Sequence, residues 1–127
     1  MINEQKQFPY LKEFKDKFST DEHTIFVFKD TIYTDYPLSY DLLIHEQKHI
    51  KQQKKLGAEK WIENYLNDEK FRLKQEIEAY REQLKAIKEK DNKRYARALG
   101  FYSHALAGTL YGELIDYPEA IKQLRIK

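Results

Sequence analysis

The chain has 127 residues, with Lys+Arg 23 against Asp+Glu 21 and 41% hydrophobic residues, the profile of one globular domain spanning 1–127. No cysteine is present, which excludes disulfide frameworks, thiolate metal sites and cysteine nucleophiles, so any metal must be held by nitrogen and oxygen. A net charge of +2 is too balanced for a nucleic-acid binder, and no apolar run reaches the ~18–20 residues of a membrane span.

From the N-terminus, the polar stretch Met1 to Gln7 has no secretory core, which makes the cytoplasm the expected compartment. Tyr10, Leu11, Phe14 and Phe18 fall at helical spacing behind Pro9. Ile25 to Phe28 and Thr31 to Thr34 are β-branched and aromatic, split by Lys29-Asp30, which predicts a short hairpin. Ser39 caps a helix running to about Leu56, closed by Gly57. A short helix over Ala58 to Leu66 follows, then a long one from Glu69 to about Lys90 with the stripe Leu73, Ile77, Tyr80, Leu84 and Ile87. Asp91 caps a helix over Lys93 to Ala107, with a break expected at Gly100, and Asp116-Tyr117-Pro118-Glu119 reads as a capping box. The fold class is α+β: mostly helix, with one small early antiparallel hairpin.

His45-Glu46-Gln47-Lys48-His49 is an H-E-x-x-H segment inside the helix that starts at Ser39. Positions i and i+4 lie about 40° apart on the helical wheel, so His45 and His49 can share one ion. Glu46, about 100° from His45, can reach a water on the metal without being a ligand. Zinc needs a third protein ligand, and without cysteine a carboxylate is the natural source. Glu76 lies on the edge of the stripe of the long helix, whereas Glu78 lies nearly opposite and is expected in water. Glu69 is the runner-up.

His45-Glu46-x-x-His49 followed by Glu76-x-x-Ala79 resembles the gluzincin metallopeptidases, particularly their minimal single-domain members, over roughly Ile25 to Gln83. The resemblance implies a pair of active-site helices and Zn2+ held by His45, His49 and Glu76. It also implies Glu46 as catalytic base, a peptide or protein substrate, and an antiparallel strand that aligns the peptide, for which Thr31 to Thr34 is the matching piece. Where many family members carry Asp four residues after the ligand Glu, to orient a metal-bound histidine, this chain has Tyr80, which accepts such a bond weakly. The tail from Leu110 to Ala120 is similar to the ends of small phage-encoded proteins bearing this motif. That similarity would put the protein in the host cytoplasm or the virion, with phage structural partners.

Such a hydrolase also needs a donor for the developing oxyanion, and His104 is the residue chosen for it, with Tyr102 and Tyr111 behind it. His23 is expected in a solvated loop. The basic stretches Lys51 to Lys55 and Lys85 to Lys90 read as solvated helix faces rather than nucleic-acid contacts. A non-catalytic protein that keeps the metal as a staple, or has lost it, is the rival from another class. An intact Glu46 favours the enzyme, because a structural site has no use for a general base.

Overall fold

The structure is a computed structural model describing residues 1–127. Six helices surround a three-stranded sheet, an α+β fold in which helix dominates. The strands are β1 (Ile2–Asn3), β2 (Phe26–Phe28) and β3 (Thr31–Tyr33). The helices are α1 (Leu11–Lys17), α2 (Tyr40–Leu56), α3 (Ala58–Asn67), α4 (Glu69–Lys90), α5 (Asn92–Ala107) and α6 (Tyr117–Leu124). No helix is long and apolar enough to cross a membrane.

Capping residues set most of these boundaries. The side chains of Ser39, Asp68, Asp91 and Asp116 each accept a backbone N–H in the first turn of α2, α4, α5 and α6, satisfying donors that a helix start leaves open. Gly57 takes φ 101° between α2 and α3, a backbone conformation that L side chains rarely adopt. The break expected at Gly100 does not occur, and α5 runs through it. A Cβ there would lie 3.5 Å from the Tyr117 hydroxyl, an ordinary contact.

β3 is the central strand, paired antiparallel with β2 in the register Val27↔Ile32 and parallel with β1 in the register Ile2↔Ile32. The hairpin forms where the sequence predicts it, but β1 was not legible, because a two-residue strand carries no periodicity. With both its edges occupied, β3 cannot align a peptide, which corrects the role expected of Thr31 to Thr34. The free edge on that side belongs to β2. Part of it is already closed by the buried Gln53 of α2, whose amide donates to the Val27 carbonyl at 2.9 Å and accepts from the Lys29 N–H at 2.7 Å.

Aromatic packing joins this sheet to the helices. Phe8 stacks on Phe26 at 4.6 Å between ring centres, and Phe14 stacks on Tyr65 of α3 at 5.7 Å. The sheet and α1 therefore form one wall of a cavity whose other walls are α2, α3 and α4. Gln53→Leu should destabilise the fold by about 2–3 kcal/mol, because it strips partners from two backbone groups at once. Gln53→Glu keeps the bond from Lys29 but sets a buried carboxylate against the Val27 carbonyl, and should destabilise at least as much, as read by urea denaturation.

Candidate metal centre

α2 and α4 pack against each other, with Ala79 of α4 fully buried. This juxtaposition brings His45, His49 and Glu76 together. The Nε2 atoms of His45 and His49 lie 3.2 and 3.3 Å from Oε1 and Oε2 of Glu76, and all three residues are buried. Ligand atoms of His45, Glu46 and His49 also lie within 4.8 Å of one another. Glu69 is exposed at the start of α4, far down the helix from this cluster.

Hydrogen bonding assigns the ring protons. The carbonyl oxygen of Gln83 faces His45 Nδ1 at 3.0 Å, while its amide nitrogen donates to Asp41 Oδ2 at 2.8 Å. Likewise the carbonyl oxygen of Gln52 faces His49 Nδ1 at 2.8 Å, while its nitrogen donates to the Gln75 carbonyl at 3.1 Å and to Glu78 Oε1 at 3.2 Å. Each amide is oriented by an acceptor on its far side, so each histidine carries its proton on Nδ1. The neutral rings then aim both Nε2 lone pairs at a carboxylate.

Three acceptors cannot converge in a buried space without a proton or a cation between them. Protons meet the need in part: burial alone would lower the His49 pKa, but the Glu76 carboxylate beside it raises it to about 9. Burial alone would raise the Glu76 pKa, but His49 and His45 together hold it well below the usual carboxylate range. A metal meets the same need. Two ligands bound at 2.0–2.1 Å with tetrahedral angles stand about 3.3–3.4 Å apart, close to the two N···O distances found here. The donor set, two imidazoles and one carboxylate, fits zinc.

Tyr65, which sequence reasoning passed over, donates to Glu76 Oε2 at 2.6 Å. The orienting role expected at the Tyr80 position falls instead to Gln83, three residues further on. Tyr80 lays its ring edge on His45 at 4.4 Å and pairs its hydroxyl with that of Tyr111 at 2.8 Å. Glu78 is half-buried and supports Gln52, contrary to the solvated position predicted for it. Spacing could have found two of these residues. Gln52 stands three after His49 on the same helix face, and Asp41 stands four before His45.

Glu46 differs from every other buried carboxylate in the site. It is 7% exposed, lines the cavity, and has neither a hydrogen bond nor an ion pair to the protein. Burial raises its pKa, with His45 and His49 partly opposing that, which moves it toward the range useful for a general base. Around it the cavity, about 190 Å3, is lined largely by apolar and aromatic side chains, among them Phe8, Phe26, Val27 and Trp61. Tyr80, Tyr102 and Tyr111 also line it, and His23 stands at its rim.

His104 is not among these residues. It is exposed on the outer side of α5, with its ring stacked on Tyr117 at 3.9 Å, so it cannot serve as the oxyanion donor. Its neighbour in the heptad, the buried Ser103, faces inward in its place. No protein-family model matches the chain, and neither curated proteins nor solved structures give a match.

Removing the support of the imidazoles should weaken metal binding without touching a ligand. Gln83→Leu and Gln52→Leu should each lower zinc affinity by roughly 10–100-fold, the usual cost of losing a partner of a ligating histidine. Gln83→Glu, which still accepts from Nδ1, should retain most of it. Competition against a chromophoric chelator reads all three.

Proposed function

We propose that the protein is a zinc-dependent hydrolase of peptide bonds, of the gluzincin type. The observation that carries this reading is Glu46: a carboxylate with no protein partner, open to a cavity and adjacent to a His-His-Glu set. A site built only to staple the fold would leave no buried carboxylate unpaired, since that costs stability and returns none.

Zinc, when bound, lowers the pKa of water toward ~7 and polarises a carbonyl. His45, His49 and Glu76 would hold it, with Gln83, Gln52 and Tyr65 fixing their orientation. Glu46 takes a proton from the attacking water as its oxygen bonds to the carbonyl carbon. It then hands that proton to the amine nitrogen as the C–N bond breaks.

The Tyr80–Tyr111 pair supplies the donor for which His104 is misplaced. Two hydroxyls joined by one hydrogen bond use one proton between them and leave the other free. In this aromatic cavity the free O–H can meet the carbonyl oxygen as negative charge develops on it. The part of the β2 edge that Gln53 leaves open lies beside the cavity and can pair with one end of an extended peptide.

The reading is tested with three variants and a peptide library. Glu46→Gln should keep zinc bound while hydrolysis falls by several orders of magnitude. Replacing both Tyr80 and Tyr111 by Phe should lower turnover by roughly 10²-fold, and His104→Gln should leave it unchanged. Zinc-loaded wild-type protein that cleaves no library member, or loss of metal in Glu46→Gln, would count against it.

A further inference from the structure

The cavity is not the last feature on its side of the molecule. Rings run outward from the site in an unbroken row: His45 to Tyr80 at 4.4 Å, Tyr80 to Tyr102 at 5.4 Å, and Tyr102 to Phe101 at 5.1 Å. Phe101, at the outer end, is 67% exposed. Beside it on α5 stand Lys93, Arg94 and Arg97, all exposed, and with Phe101, Ala98 and Tyr102 they line a shallow depression of about 400 Å3. Tyr102 lines both this depression and the cavity, so its ring is a wall that the two share.

The charge of the strip has one sign. No carboxylate lies within 4.0 Å of the charged groups of Lys93, Arg94 or Arg97. Two acids border it and accept hydrogen bonds there, Asp91 from the Lys93 N–H and Asp41 Oδ2 from Gln83 and Tyr102. Lys90 extends the cationic strip, its Nζ lying 4.6 Å over the ring of Tyr40, which is itself 58% exposed. The basic depression between α4 and α6 sets Lys48, Arg81, Lys85, Lys122, Arg125 and Lys127 against Glu78 and Glu82, but Ile126 is the one hydrophobic residue lining it, so it offers no aromatic contact.

We propose that this α5 strip is a docking surface for an acidic segment of a polypeptide, with Phe101 as its apolar contact and Lys93, Arg94 and Arg97 as its charged ones. That the docked chain is also the substrate rests on the peptidase reading above. The row of rings would lead it toward the cavity. A nucleic acid fits less well. Its binders commonly make several phosphate contacts along a track, whereas the three cations here span little more than one turn of α5 on a chain of net charge +2.

The probe is a fluorescein-labelled Glu-rich peptide with a central Phe-Leu pair, titrated by anisotropy against zinc-loaded Glu46→Gln protein. Binding should weaken as salt is raised and should fall at least ~10-fold on adding Arg94→Glu and Arg97→Glu. The control pair Lys85→Glu and Lys122→Glu makes the same change in net charge and should leave binding unaltered. No binding, or equal losses in the two pairs, would overturn the proposal. So would an oligonucleotide that binds more tightly than the peptide and depends on Arg94 and Arg97. Wild-type protein that binds the peptide in this manner and cleaves nothing would sink the peptidase reading and leave the docking surface standing.

Discussion

Glu76 sits between two imidazole lone pairs, and most of the structure serves to keep it there. Each oxygen of its carboxylate faces one Nε2, and Tyr65 donates a further short bond to one of them. Such a meeting of acceptors is unstable unless positive charge resides at its centre. The protein therefore commits α2 and α4 to a geometry whose energy depends on what occupies a space a few ångström across. That dependence separates a site from a core, because a core is satisfied by its own atoms.

The surrounding packing follows from the same constraint. A helix that presents Arg72, Gln75, Glu76 and Gln83 to the interior must supply each with partners or lose stability. α4 does so with few failures: Arg72 donates to the carbonyls of Tyr65 and Tyr111, Gln75 accepts from the Trp61 indole, and Gln83 links His45 to Asp41. Ser103 Oγ is the one side-chain polar atom closed off from solvent and left without a partner, whereas the unpartnered Glu46 carboxylate opens to the cavity. The aromatic rings fill the space between these groups and limit the water that would otherwise screen them.

Legibility in the sequence tracked apolarity. The capped helices and the hairpin were readable, since Ser39, Asp68, Asp91 and the runs Ile25 to Phe28 and Thr31 to Thr34 carry local signals that tertiary contacts do not override. His45 and His49 were readable from spacing. The buried face of α4 was readable in part. Tyr80, Leu84 and Ile87 of the stripe are buried as expected, whereas Leu73 and Ile77 are half-buried and the interior positions beside them are Arg72, Gln75, Glu76 and Ala79. A hydrophobic stripe marks the buried face of a helix that packs a core, but α4 packs a polar site, and its phase is displaced accordingly. The same bias hid Gln52 and Gln53. They lie inside a run of lysines, yet both are buried, one holding His49 and the other closing the edge of β2. His104 fails for the opposite reason: a histidine on a largely apolar helix reads as inward, and only the packing of α6 against α5 shows that its ring covers Tyr117.

The amides between histidine and carboxylate carry a chemical consequence. Both imidazoles stand on the same ladder: His45 on Gln83 and then Asp41, His49 on Gln52 and then Glu78. A carboxylate bonded directly to Nδ1–H makes a ligating histidine more basic and adds a full negative charge beside the metal. An amide fixes the same tautomer while the charge stays one residue further out, where the attraction between unit charges has weakened with distance. With Glu76 and Glu46 ionised, a divalent cation is already neutralised by the two carboxylates that face it. Two more at the imidazoles would leave the centre anionic and blunt its pull on a water or a carbonyl. Placing Gln at positions 52 and 83 keeps the orientation and withholds the charge, so Tyr80 stands where an aspartate is expected without leaving His45 unsupported.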